Sequence, residues 1–272
     1  MYQTENERPT GLEIPEDKSA TTRRRVGCII SAIIILAIPI IFVLSCNACM
    51  NKDKNEEWGN FLVSFYNERT TAYITGLTEE GQQQKYIVIP KEIDGIPVVA
   101  IGTKPLLTLF GGLGRVQLRS DVLEKIFVLS HIGIASGTFE YCPNLSKALS
   151  VFGGHIEGLE WGTITYIPND IYLQDTDTGY KRANVSYLFN YDNAENYGYY
   201  LIDDYDYGEK IEFIPPDPDR ENYTFGGWYK EPECINKWDF VTDTLPEEKI
   251  EINENGDEEV FYQETKLYAK WV

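Results

Sequence analysis

Five cysteines, two histidines and many paired acids are the side chains of this 272-residue chain with the types needed for metal, redox or acid–base chemistry. Cys46-Asn-Ala-Cys49 has the C-x-x-C spacing of redox and zinc sites. A redox role needs a βαβ pattern around it and a zinc site needs two further ligands, and neither accompanies it. Cys28 sits with that pair near the N-terminus, while Cys142 and Cys234 lie far apart in the remainder. An oxidising compartment permits a Cys142–Cys234 disulfide, but both read more simply as small buried residues. His131 and His155 have no Cys or His partners nearby in sequence. Asp175-Thr-Asp177-Thr-Gly179 opens like a calcium loop, yet Ser186 stands at the twelfth position where a glutamate is needed. Gly111-Gly-Leu-Gly114 lacks the Lys-Ser/Thr of a phosphate-binding loop. No G-x-S-x-G or H-E-x-x-H string occurs. Acid pairs arise freely in a chain with 43 acidic and 24 basic residues, and they read as a solvated face. The expectation is therefore a protein that is not an enzyme, with no catalytic, cofactor-binding or metal-binding residues. A net charge of −19 also argues against a nucleic-acid partner.

The elements that carry these residues begin with an apolar segment. Val26 to Met50 contains no charged side chain, and the run from Cys28 to Leu44 approaches the ~20 residues that span a bilayer. Arg23-Arg24-Arg25 flanks one edge; Lys52 and Lys54 flank the other, diluted by Asp53, Glu56 and Glu57. The denser basic flank predicts a cytoplasmic N-terminus and an exported C-terminal part. Residues 26–46 are thus a single transmembrane helix or a lipoprotein signal, with Cys46 after Val43-Leu-Ser45 as the lipidation candidate. The acidic residues of the preceding stretch (Glu5, Glu7, Glu13, Glu16, Asp17) favour the uncleaved anchor. Residues 1–25 read as a disordered cytoplasmic tail.

Residues 51–152 form the first globular region. Thr70–Thr75 and Tyr86–Ile89 read as strands, and Asp94-Gly95 between apolar runs signals a tight hairpin. Leu123 and Leu145 lie 22 residues apart, within the range of leucine-rich repeats. Tyr73-Ile-Thr-Gly76, Val88-Ile-Pro90, Ile93-Asp-Gly-Ile-Pro-Val98 and Ala100-Ile-Gly102 precede Leu123-x-x-Ile126 and Gly137-Thr-Phe-x-x-Cys142-x-x-Leu145. In this order they resemble a BspA-type leucine-rich repeat domain over about residues 70–150. Leu129 stands where that family usually has proline, and residues 103–122 do not fit a clean repeat. Phe139, Cys142 and Leu145 read as repeat core rather than as the lining of a groove.

Residues 153–182 read as a linker with a possible hairpin over Thr163–Leu173. From residue 183 the chain is rich in Tyr, Asp and Glu; residues 200–272 hold 20 acidic and 7 basic side chains, a net of −13. Val185–Asn190 and Tyr199–Ile202 read as strands. Tyr223-Thr-Phe-Gly-Gly-Trp-Tyr229, Trp238-Asp-Phe240 and Leu267-Tyr-Ala-Lys-Trp271 follow in order. This arrangement closely resembles the Listeria–Bacteroides repeat, the B-repeat module of internalin-type surface proteins, over about residues 183–272. The resemblance implies a small β-grasp-like module acting as an exported spacer or adhesive unit. Leu245 to about Glu264, with an Asn255-Gly256 hairpin signal, is an insertion relative to a typical copy. Phe225, Trp228, Trp238, Phe240 and Trp271 read as core, with a sugar-binding platform as the sharper alternative. The seven tyrosines from Tyr187 to Tyr207 are less constrained, and alternate ones on strands must face outward.

The sequence thus predicts a mainly β protein: an N-terminal transmembrane helix, a short leucine-rich-repeat-like domain and a β-grasp-like B-repeat domain. It predicts a bacterial cell-membrane protein with an extracellular C-terminal region and a non-catalytic binding, adhesion or spacer role. The expected partners are the membrane and an extracellular protein or glycan. The alternatives are an envelope sensor that signals through the tail and an extracellular hydrolase using surface carboxylates.

Overall fold

Side chains that alternate between apolar and polar, broken by Gly, Pro and Asn turns, form strands throughout. The computed structural model describes residues 55–105, 113–152, 156, 158–169 and 180–272. The expected tail, the apolar segment with Cys46, and the calcium-like stretch Asp175–Gly179 lie outside these residues, as do His155 and Gly111-Gly112. No helix of the described residues is long and apolar enough to cross a membrane. Their only helical turns are short 3₁₀ segments, Gly81–Gln83 and Asn196–Gly198.

The chain opens with β1 (Glu56–Trp58), β2 (Phe61–Tyr66) and β3 (Thr71–Leu77), an antiparallel meander. It continues through β4 (Tyr86–Ile89), β5 (Glu92–Ile93), β6 (Ile96–Ile101), β7 (Thr103–Pro105) and β8 (Leu113–Arg115). Asp94 and Gly95 have φ of 52° and 73° and close the β5–β6 hairpin with Ile93 opposite Ile96, as the Asp-Gly signal requires. The β7–β8 hairpin occupies the stretch where the repeat pattern lapses. Then come β9 (Lys125–Val128), β10 (Gly133–Ile134), β11 (Lys147–Ser150), β12 (Ile164–Ile167) and β13 (Tyr180–Arg182).

Two sheets result. One runs β1-β2-β3-β6-β10, with β3, β6 and β10 parallel. The other, β4-β9-β11-β12-β13, is parallel throughout. In it Lys125 pairs with Lys147 and Ile126 with Ala148, an offset that matches the Leu123–Leu145 spacing. Leu123, Phe139, Cys142 and Leu145 are buried between the two sheets with Ile74, Ile87 and Ile101. The expected hairpin at Thr163–Leu173 is not what β12 makes: it pairs in parallel with β11 and β13. Tyr166 and Ile167 are both buried, so this strand extends the stack within the expected linker.

The last region holds β14 (Val185–Leu188), β15 (Tyr199–Asp203), β16 (Phe225–Tyr229), β17 (Ile250–Ile252), β18 (Glu258–Val260) and β19 (Thr265–Trp271). Its main sheet runs β15-β14-β19-β16, with the central pair β14–β19 parallel and the flanking pairs antiparallel. β17 and β18 form a separate two-stranded hairpin.

Parallel sheets carry apolar side chains on both faces and need cover on both. Ile87, Ile126 and Ala148 point one way, into the first cluster. Val88, Phe127, Leu149 and Tyr166 form the adjacent row on the other face. Phe127, Leu149 and Tyr166 are buried in one cluster with Tyr187, Leu201, Ile211, Trp228 and Leu267, and Phe127 stacks on Phe213 at 4.6 Å. Asn55–Val272 is accordingly one compact unit. Residues 153–182 therefore do not separate two free modules, because among the described residues the last region is the apolar cover of the parallel sheet's outer row.

This shared cluster predicts coupled stability. Phe127→Ala removes a fully buried ring and is expected to cost about 3–5 kcal/mol. Amide hydrogen exchange should then speed up in β14 and β19 as well as in β9. Loss of protection confined to the parallel sheet would contradict the shared core.

Candidate functional site

The residues named from sequence divide cleanly by location. Trp228 and Trp238 are buried, and Phe225, Phe240 and Trp271 pack against them; Phe225 meets Trp228 edge-on at 5.1 Å. The aromatic set is therefore core, not an exposed sugar platform. Phe139, Cys142 and Leu145 are likewise core. Cys142 and Cys234 are free thiols, and burial pushes the Cys142 thiol up to about 11. His131 lies against Phe152, with ring centroids 3.8 Å apart. Of the seven tyrosines, Tyr187, Tyr199 and Tyr205 are buried, whereas Tyr197 is exposed. Among the described residues no group of three or more His, Cys, Asp or Glu side chains is placed to hold a metal ion.

The polar centre of the unit lies where β9 and β11 meet the end of β15, and sequence reasoning missed it. Lys125 Nζ lies 2.7 Å from Asp203 Oδ1, with Asp203 fully buried and Lys125 nearly so. The same ammonium donates to the Asp204 carbonyl at 3.2 Å and sits 3.9 Å from the centre of the Tyr205 ring. At the same register position on the neighbouring strand, Lys147 Nζ donates to the carbonyl and to Oδ2 of Asp204, both at 3.1 Å. Asn184 clamps the backbone of Tyr205, donating to its carbonyl at 2.7 Å and accepting from its N–H at 3.1 Å. The Tyr205 hydroxyl accepts from the Phe213 N–H at 3.0 Å. Tyr86 donates to Glu212 at 2.8 Å. The sequence signal was present: lysines recur at one ladder position 22 residues apart, in strands whose neighbours are apolar, and Asp203-Asp204 ends an apolar strand.

Burial raises the Asp203 carboxyl above its ordinary value of 3.8, and Lys125 pulls in the opposite direction. The buried desolvation cost thus outweighs the ion pair. Desolvation also raises the Tyr205 phenol, with the Asp203 charge adding to it.

Three open cavities surround this centre or lie on the first region. One of about 290 Å³ is lined by Lys125, Lys147, Glu124, Asp204, Glu209 and Glu212. A second, of about 650 Å³, lies between the end of the stack and the last region; Tyr166, Tyr207, Tyr262, Lys181, Arg182 and Val260 line it. A third, of about 620 Å³, holds Gln82, Gln83, Arg119 and Tyr141, with the Arg119 guanidinium 4.1 Å from the Tyr141 ring centre. Aromatic faces, exposed cations and carboxylates in the second cavity suit polar ligands held by stacking and hydrogen bonds.

The profile of the Listeria-Bacteroides repeat domain matches residues 187–252 of the chain. Internalin H of Listeria monocytogenes serovar 1/2a (strain ATCC BAA-679 / EGD-e) is similar, at 31% identity over 101 residues. That match covers 34% of this chain and 18% of the relative, so the chain spans less than a fifth of that protein. No solved structure matches. The last region is therefore similar to the Listeria-Bacteroides repeat domain.

A linkage test follows from the buried pair. Lys125→Met strands an unpaired carboxylate and should cost about 3–5 kcal/mol at neutral pH, while Lys125→Met with Asp203→Leu should recover most of that loss. Because the folded-state value of Asp203 is raised, the folded protein takes up this proton before the unfolded chain does. Stability tied to the group is lost above the folded value and regained as pH falls through it towards 3.8. Urea melts should therefore show the single variant's deficit shrinking between neutral pH and about pH 4. A deficit that grows on acidification contradicts the assignment.

Proposed function

We propose that this is a membrane-tethered bacterial surface protein whose residues 55–272 act as a non-catalytic binding head. The observation that carries the reading is the Listeria-Bacteroides repeat match over residues 187–252, in a module packed across a shared core onto a parallel strand stack. The strand order, with the first and last strands of the region central and parallel, supports a β-grasp-like module. An extended segment between β15 and β16 takes the place of a crossing helix. The parallel stack with its 22-residue ladder offset supports the leucine-rich-repeat reading of residues 70–150. The basic flank Arg23-Arg24-Arg25 supports a cytoplasmic N-terminus, with the apolar segment or a lipidated Cys46 as the tether.

A binding role is favoured over a mere spacer by the tyrosine cavity. Its cations, Lys181 and Arg182, are exposed in an otherwise acidic region, beside the partly exposed Tyr207 and Tyr262. Tyr and Arg supply much of the energy at binding surfaces. The ligand class is an extracellular glycan or protein bearing acidic or hydroxyl groups.

Surface display and binding are tested together. External protease added to intact cells should remove the region after residue 50 and spare the N-terminal tail. Purified protein should retain a ligand from cell-wall polymers or host surface proteins, and Arg182→Ala should weaken retention on the order of tenfold without lowering the melting temperature. Protection of the C-terminal region from protease would contradict the orientation, and unaltered retention by the variant would contradict the cavity.

A further inference from the structure

The stretch Leu245 to about Glu264 builds a hairpin whose apolar side chains are only half covered. Ile250 pairs with Val260, Glu251 with Glu259 and Ile252 with Glu258. One face thus carries Ile250, Ile252 and Val260, exposed by 48%, 65% and 44%, with Glu258 at its end opposite Ile252. The other carries Glu251 directly opposite Glu259, with only the Lys249 ammonium beside Glu251 at 2.5 Å. The tip is well ordered by its own bonds: Asn253 Oδ1 accepts from the N–H groups of Asn255 and Asp257 at 3.0 and 2.9 Å. Gly256 takes the left-handed conformation at φ 87°.

Each feature is costly in isolation. A two-stranded hairpin is marginally stable in water. Like charges directly opposite one another destabilise a strand pair. The apolar face is unburied, and both strands have an unpaired edge because this sheet joins no other among the described residues. We propose that the β17–β18 hairpin is a docking strip for an extended segment of a partner protein whose sequence alternates basic and apolar residues. Such a strand adds to an open edge through backbone hydrogen bonds. Its apolar side chains cover Ile250, Ile252 and Val260, and its basic side chains lie over Glu251 and Glu259.

Charge selects this occupant. Residues 247–259 hold seven acidic side chains and one lysine, so a second copy of the chain is repelled. An anionic membrane is repelled for the same reason. Lys181 and Arg182 share the tyrosine cavity with Val260, which places the partner's cations on the opposite face, over the glutamates. Recognition here rests on the hairpin strands, with Val260 bordering the tyrosine cavity, and does not depend on export or on a ligand in that cavity.

The test uses the full-length protein and three synthetic ten-residue peptides: alternating Lys and Val, alternating Glu and Val, and Lys and Val in two blocks. The alternating Lys–Val peptide should bind, with affinity falling as salt rises, and the other two should bind at least tenfold more weakly. Ile250→Ser with Ile252→Ser should weaken binding at least tenfold, with the near-ultraviolet spectrum of the core aromatics unchanged. Glu251→Gln with Glu259→Gln should also weaken binding while slowing amide exchange in β17 and β18, since it removes the like-charge pair. Arg182→Ala should not weaken peptide affinity while it weakens retention by the tyrosine cavity, which separates this strip from that cavity. Equal binding of the block peptide, or full affinity in the double serine variant, would reduce the effect to general charge attraction and overturn the proposal. Concentration-dependent self-association lost in the double serine variant, or binding to anionic vesicles through these isoleucines, would assign the strip to another occupant and likewise overturn it.

Discussion

A parallel sheet cannot leave one face in water at little cost, and the arrangement of residues 55–272 follows from that constraint. The stack buries Ile87, Ile126 and Ala148 against its own second sheet. The row Val88-Phe127-Leu149-Tyr166 on the other face needs an apolar lid, and the aromatic sheet of the last region supplies it. Burial is nondirectional, so it brings the layers together without fixing their register. The polar contacts of Lys125 and Lys147 with Asp203 and Asp204 add direction: they succeed in one alignment of β15 against β9 and β11. Desolvation makes that pair a poor source of net stability, so its value lies in excluding misaligned packings.

Much of this was legible in the sequence because local chemistry dictated it. Asp94-Gly95 demanded a hairpin with both turn residues at positive φ, and the chain makes one. The Leu123–Leu145 spacing reappears as the strand offset of the ladder. Trp228 and Trp238 are buried and Trp271 packs against their cluster, as expected of a small module that must find its core in aromatic area. The misreadings share one cause. The possible hairpin over Thr163–Leu173 rests on a local Pro-Asn-Asp turn signal and runs beyond the described residues, whereas the parallel pairing of β12 with β11 is set by residues distant in sequence. The Lys125–Asp203 pair joins residues 78 positions apart and could not be inferred from either strand alone. Fusion of the two regions was hidden for the same reason, since an outward apolar row in a repeat looks the same whether a lid covers it or not.

Fusion changes what the protein can do. In separate modules the outer face of the strand stack would be free to bind ligands; here the last region occupies it. The surfaces that stay open are at the rim, in the tyrosine cavity beside β13, and on the β17–β18 hairpin. The cavity joins Lys181 and Arg182 of the stack to the acidic last region. A shared core also holds the two regions in a fixed relation.

The central claim is that the stack and the repeat module form one cooperative unit. Scanning calorimetry of the full-length protein tests it most directly. The account predicts a single transition whose calorimetric and van't Hoff enthalpies agree, and a Trp228→Ala variant in which that whole transition moves to lower temperature. Two separable transitions, with only one shifted by the substitution, would show that the regions fold independently and would contradict it.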